Sequence, residues 1–307
     1  VYGEWLISYP RGRPRNLFER TWSENGGSKY SFSSFLKGEK EKITELTRPN
    51  ALFLSVGATF NNPQLMTVYK WFTDNLMGIQ AGRLRERAPI HNMQDEEKNE
   101  LIKKLLQYAD FGIVDFSIRE LPFDIDAMPE DAPEEKVQFY KAIMSAFKQL
   151  PVEPKTYEVS VVHSAAEKDL TLSLQDESLG TQQMFFISEP ILDALLNGKV
   201  LYVDELDSSL HALLVNSLVS LFHDQTINRS DAQLIFNIHS TSLLNMSLFR
   251  RDQIWFVEKD QHGASHIYSL LEYRPRKDEA LERGYLLGRY GAIPFIGELP
   301  KGVFKIV

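Results

Sequence analysis

The chain has 307 residues, 43% of them hydrophobic and 25% charged, and a formal net charge of −8. That supports one large domain or two modest ones with a buried core, and it excludes a surface that is basic throughout, while a local basic groove stays open. The absence of cysteine excludes disulfides, thiolate metal sites and cysteine nucleophiles and fits a reducing cytoplasm. No apolar run reaches the length of a membrane span, and no signal peptide is visible.

Residues 1–35 read as antiparallel β. Tyr2, Trp5, Leu6 and Ile7 mark a strand, Pro10-Arg11-Gly12-Arg13-Pro14 a turn and Leu17-Phe18 the returning strand. Asn25-Gly26-Gly27-Ser28 is a second turn, after which Tyr30-Ser31-Phe32 resumes the pattern. Glu39–Thr47 reads as a charged helix and Ala51–Gly57 as a buried strand. Asn62-Pro63 is a helix start, with Asn as cap and Pro at the first helical position. Leu65, Val68, Phe72 and Leu76 recur at helical spacing, which predicts one buried face. Residues 79–94 are polar and irregular, and Arg83, Arg85 and Arg87 read as a solvated run.

A helix is predicted from Asp95 to Tyr108, with acids in its first turn, and a short strand from Ile113 to Ile118. Pro122, Pro129 and Pro133 mark residues 121–135 as a loop, and a helix follows over Glu134–Gln149. Residues 58–154 therefore read as a mainly helical insertion between an N-terminal β part, 1–57, and a C-terminal part, 155–307. In the latter, Tyr157–His163 and Asp169–Leu174 form a hairpin. Asp176–Gln183 then leads into an apolar helix carrying Met184, Phe185, Phe186, Ile187, Ile191 and Leu195. Small residues at such a start either leave N–H groups free for an anion or simply cap the helix.

Asn197-Gly198 stops that helix. Val200, Leu201, Tyr202 and Val203 follow, apolar at every position, which predicts a strand buried on both faces. It ends in adjacent carboxylates, Asp204 and Glu205. In an open α/β sheet the carboxyl ends of the strands face the ligand crevice. Two acids there suit metal–nucleotide chemistry: one carboxylate holds Mg²⁺ through its water shell, and the other orients or deprotonates an attacking water. Ser208 or Ser209 is the expected cap of the next helix. A further strand, Gln233–Ile238, ends at His239, and late strands follow at 254–257 and 266–269. The glycines of 282–291 do not form a phosphate-binding loop. The fold class is α/β.

In order and spacing these motifs resemble the ATPase head of the ABC superfamily, which includes transporter ATPases and the Rad50/SMC proteins. Glu177-Ser178-Leu179-Gly180-Thr181 sits where the signature motif belongs, Val200–Glu205 resembles Walker B, Leu206–His211 occupies the D-loop and His239 the switch histidine. The Glu-Ser-x-Gly-Thr form, the Asp-Glu-Leu-Asp-Ser-Ser-Leu-His run, Arg274-Pro275-Arg276-Lys277 and Gly284–Pro294 are similar to the stand-alone ATPases of bacterial abortive-infection and anti-phage operons, the RloA-like and AbiL-like group. The signature is not the transporter Leu-Ser-Gly-Gly-Gln.

The resemblance implies an ABC-type head with an antiparallel β subdomain and a mainly helical insertion, using ATP and Mg²⁺. Asp204 would hold the metal, Glu205 would be the general base, and His239 would contact the γ-phosphate. Ser178, Gly180 and Thr181 would contact ATP bound to a second copy, and Asp207 and Ser209 would link the two sites. The implied assembly is a cytoplasmic homodimer or higher homo-oligomer that controls an effector, a nuclease being one candidate, with DNA left open and no membrane. No Gly-x4-Gly-Lys-Ser/Thr occurs in the 307 residues. Because Val1 opens inside a strand-like run, the expectation is that a preceding segment carries the phosphate loop. The Q-loop position, sought after residues 51–57, offers Thr59, Asn61, Asn62 and Gln64. Three other readings stand beside this one: a Rad50/SMC-type DNA-repair head, an OLD-type nuclease-fused ATPase, and a non-hydrolysing nucleotide-dependent scaffold.

Overall fold

The structure, a computed structural model, describes residues 3–23, 27–80, 95–109, 111–122, 133, 138, 155–165, 168–245, 247–276 and 279–294. The basic run at 83–87 and, apart from Gln138, the helix expected over 134–149 lie outside them.

The N-terminal strands β1 (Gly3–Ser8), β2 (Arg15–Trp22) and β3 (Ser28–Phe32) form an antiparallel sheet in chain order. Its inner face packs on the helices α1 (Lys40–Leu46), α2 (Phe53–Thr59) and α3 (Pro63–Asn75) through Leu17, Phe18, Leu36, Ile43, Phe53 and Leu65. The segment read as a buried strand, 51–57, is therefore mostly helix. The reason is tertiary. The Glu4 carboxylate on β1 accepts hydrogen bonds from the Phe53 and Leu54 N–H groups, at 2.8 and 2.9 Å, and so caps α2 from 49 residues away. Gly57 lets α3 approach, since a Cβ there would lie 2.2 Å from Leu65 Cδ1. Asn62 caps α3 as expected, accepting from Gln64 N and Leu65 N. The predicted buried face of α3 holds only at Leu65; Phe72 and Leu76 are exposed.

Arg20, with 1% of its surface exposed, is the main polar tie of this layer. It donates to the carbonyls of Ala51 (2.6 Å), Arg48 (3.4 Å) and Pro49 (3.3 Å) and lies 3.6 Å from Glu4. Arg20→Ala leaves Glu4 and three carbonyls without a cation and is expected to cost about 3 kcal/mol, measured by denaturant unfolding.

The second sheet is parallel, in the order β4 (Leu76–Gln80), β8 (Val200–Asp204), β9 (Gln233–Phe236). The segment 58–154 thus carries helices α3 and α4 (Glu96–Tyr108) but also β4 and β5 (Ile113–Pro122). β4 covers positions read as a helix end and an irregular loop, and β5 runs to Pro122, past its expected end. β5, β6 (Lys155–His163) and β7 (Leu170–Ser173) make an antiparallel sheet, with the predicted hairpin at β6–β7.

Helix α5 (Leu179–Asn197) runs through the centre of the main core and is buried on nearly every side from Thr181 to Ile191. Gly198 ends it at φ 65°, a left-handed cap that glycine adopts without steric cost. Helix α6 (Ala212–His223) packs into the same core. Its cap is His211, whose Nδ1 accepts from Leu213 N, and not Ser208 or Ser209; those two lie in the turn before it. The core covers Leu201 and Val203 of β8, but Tyr202 and Ile235 on the opposite face are exposed. Among the described residues β8 is therefore buried on one face only, because α5 and α6 cover one side of the sheet. A hairpin of β10 (Trp255–Lys259) and β11 (Ser265–Ser269) and a short helix, α7 (Leu281–Leu286), close the chain around Ile254, Phe256, Leu270, Leu281 and Tyr290.

Candidate functional site

The parallel sheet delivers its strand ends to one edge. Gln80 at the end of β4 is in register with Asp204 at the end of β8. Val203 pairs with Phe236, which places Asn237 next in line on the neighbouring chain segment. Asn237 then holds the carboxylate turn. Its Nδ2 donates to Asp204 Oδ1 at 2.6 Å, and its Oδ1 accepts the Glu205 N–H at 2.5 Å. The backbone adds two further ties, Asn237 N to Val203 O at 3.3 Å and Leu206 N to Asn237 O at 3.1 Å. Glu205 itself sits at φ 57°, a left-handed conformation uncommon for a non-glycine residue, found where surrounding structure enforces it.

His239 follows on the same segment, its Nε2 3.6 Å from Glu205 Oε1. The two side chains are 83% and 44% exposed, so the pair faces open space where a substrate can reach it. Asp207 anchors this arm from behind: its Oδ2 accepts the N–H groups of His239 (3.0 Å) and Ser240 (2.8 Å). Four predicted residues, Asp204, Glu205, Asp207 and His239, are thus brought together.

The other four predicted residues line or back an adjoining cleft of about 650 Å³, whose walls include Ser178, Gly180, Ser209, His211, Leu213 and Tyr108. Ser178 caps α5, its Oγ accepting from Thr181 N at 3.1 Å and lying 2.8 Å from Thr181 Oγ1. Thr181 is only 4% exposed and backs Ser178 from inside. The loop before it is held by Glu177, whose carboxylate lies 2.7 Å from His163 Nε2, and by buried Gln182, which donates to the Glu177 carbonyl at 2.6 Å. The turn 205–210 joins this cleft to the Asp204–Glu205–His239 group.

Gly180 touches this turn: a Cβ there would lie 2.8 Å from the Ser209 carbonyl oxygen. Gly to Ala inside a helix ordinarily stabilises. Gly180→Ala is expected to do the opposite, separating the two loops and lowering any turnover that needs both on the order of tenfold, read from initial rates alongside thermal unfolding.

Two residues beside these strand ends are not legible in the sequence alone. Asn237 is legible only once β9 is set beside β8. Gln80 lies on β4, which the sequence does not predict; of the Q-loop candidates, Asn62 caps α3 and Gln64 accepts from Lys37 N (2.8 Å) and donates to Phe35 O (3.1 Å).

Among the described residues no three His, Cys, Asp or Glu side chains converge as a metal cage. A nucleotide-bound Mg²⁺ does not need one, since it takes one or two carboxylates and fills its shell with phosphate oxygens and water. Asp204 fits that demand: Oδ1 is fixed by Asn237, and Oδ2 takes no hydrogen bond among the described residues. No helix among the described residues is long and apolar enough to cross a membrane.

A strand-end carboxylate pair, a histidine on the segment that follows the adjacent parallel strand and a capped helix start beside them are groups that metal-assisted phosphoryl transfer can use. The chain belongs to the family described as "AAA domain, putative AbiEii toxin, Type IV TA system", whose model matches residues 1–245. Among solved structures it is similar to the SMC head domain from Thermotoga maritima, at 12% identity and a TM-score of 0.40, over 88% of this chain and 74% of that one. It is also similar to the recombination mediator protein RecF–ATPrS of the RecFOR pathway, at 12% identity and a TM-score of 0.21, over 73% of this chain and 71% of that one. No curated protein matches the sequence.

Proposed function

We propose that this chain hydrolyses ATP as a switch in a bacterial abortive-infection system, two copies closing head to tail and controlling a partner effector. The observation that carries the catalytic part is the Glu205–His239 pair, 3.6 Å apart beside Asp204. Glu205 accepts the proton of the attacking water, and His239 orients that water and meets the γ-phosphate. Asp204 would hold Mg²⁺, with Gln80 level with it; when bound, the ion neutralises charge on the phosphates. Ser178 and Gly180 meet the nucleotide of the second copy, with Thr181 fixing the Ser178 hydroxyl from behind. Asp207 and Ser209 lie on the turn between the strand-end carboxylates and the cleft of Ser178 and Gly180 and couple the two. The abortive-infection role is supported by the family description, which names a putative AbiEii toxin and a Type IV toxin–antitoxin system.

A phosphate-cradling loop is also required, and no Gly-x4-Gly-Lys-Ser/Thr lies in these 307 residues. The test is Mg²⁺-dependent ATP hydrolysis by the intact protein over a range of protein concentrations. Turnover per subunit that rises with concentration supports paired heads. Absence of turnover with nucleotide still bound overturns hydrolysis and leaves a scaffold.

A further inference from the structure

We infer that the turn between β1 and β2 is a binding site for single-stranded nucleic acid, independent of the ATPase reading. The turn opens a wide cleft of about 950 Å³, lined by Arg11, Arg13, Arg15, Asn16, Ser33 and Phe35, with two prolines completing it. No lining residue is acidic, in a chain whose net charge is −8. The three arginines are exposed and make no ion pair among the described residues. That is an unusual concentration of uncompensated guanidinium groups, and guanidinium is the side chain best matched to phosphate oxygens.

The site is also built, not merely charged. Pro10 and Pro14 bracket the turn and restrict its backbone. Hydrogen bonds from Gly12 N to Tyr9 O (3.2 Å) and Arg13 N to Pro10 O (3.3 Å) close it, and Arg11 is held at φ 55°. The Arg15 guanidinium stacks 3.9 Å from the centre of the Phe35 ring, which fixes its direction.

Aromatic surface lies at the arginines themselves. Phe35 is in the cleft wall and Tyr9 immediately precedes Pro10 at the turn. Tyr9 and Phe35 are 63% and 46% exposed. Cationic groups beside open aromatic faces suit unpaired bases, which stack on the rings while the phosphates meet the guanidiniums; duplex bases are already stacked and cannot. This pairing selects a single strand over a duplex or an acidic protein segment.

The test is fluorescence anisotropy of the intact protein with a labelled oligothymidylate of about 20 nucleotides, with a duplex of equal length and polyglutamate as competitors. Three phosphate contacts predict a slope of log affinity against log salt of about −2, or roughly 20-fold weaker binding in 200 mM than in about 50 mM salt. The triple substitution Arg11→Ala, Arg13→Ala, Arg15→Ala should weaken binding at least about tenfold and flatten that slope. Tyr9→Ala should weaken binding about tenfold while leaving the slope unchanged. Circular dichroism checks that the variants fold, and a charge-reversed Arg11→Glu, Arg13→Glu pair gives a second reading of the same surface. Undiminished binding by the triple variant, duplex competing as well as the single strand, or displacement by polyglutamate alone would each overturn the inference.

Discussion

Glu205→Gln is expected to lower ATP turnover by at least about a hundredfold, the usual contribution of a positioned general base, while nucleotide binding persists. The substitution keeps shape and removes the proton acceptor. Among the described residues no other group in the turn is held by the Glu205 carboxylate. Asn237 holds Glu205 through its backbone N–H, and it holds Asp204 directly. Asp207, not Glu205, supports the backbone of His239. The variant should therefore bind Mg²⁺–ATP and accumulate as the closed pair, seen as a nucleotide-dependent rise in mass by light scattering. Turnover at the wild-type rate would remove Glu205 from the base role.

Asn237→Leu has the second-largest expected effect. Leucine has similar bulk but provides neither the donor for Asp204 nor the acceptor for Glu205 N–H. The Asp204 oxygen then loses its fixed direction, and the left-handed residue Glu205 loses the bond that ties its N–H to the next strand. Residues that orient metal-holding carboxylates from behind commonly change activity by about 10- to 100-fold when replaced. The loss should appear in both the Mg²⁺ dependence and kcat. A merely structural role would lower the unfolding midpoint and leave the Mg²⁺ dependence of the remaining activity unchanged.

Local signals in the sequence proved reliable where the structure uses local interactions. Asn62 caps the helix it precedes, accepting from N–H groups of the first turn, and the helix expected from Asp95 starts there. The β6–β7 hairpin and the strand ending in Asp204-Glu205 are where their apolar patterns put them. Most of the misreadings come from interactions between distant residues. Ala51–Gly57 has the composition of a strand, yet Glu4 caps it as a helix from across the N-terminal layer. Leu76–Gln80 is short and contains glycine; only pairing with β8 makes it a strand. His211 replaced the serines as a cap because the turn 205–210 runs on past them, with Leu210 buried against the core.

Of the candidate site residues, Asp204, Glu205 and His239 were legible because polar, titratable groups close an apolar run there. Asn237, which holds two of them in place, was not, because its role exists only when β8 and β9 lie side by side. Tyr202 was expected inside and lies outside, because apolar composition does not say whether a second layer covers a sheet.

The most direct measurement of the central claim is a double-substitution cycle between Glu205 and His239, reading ATP turnover of the intact protein. If both side chains act on the same water, Glu205→Gln and His239→Ala each remove most of the activity, and the double variant is little worse than either. Independent effects that multiply in full, or wild-type turnover in either single variant, would contradict a shared hydrolytic centre.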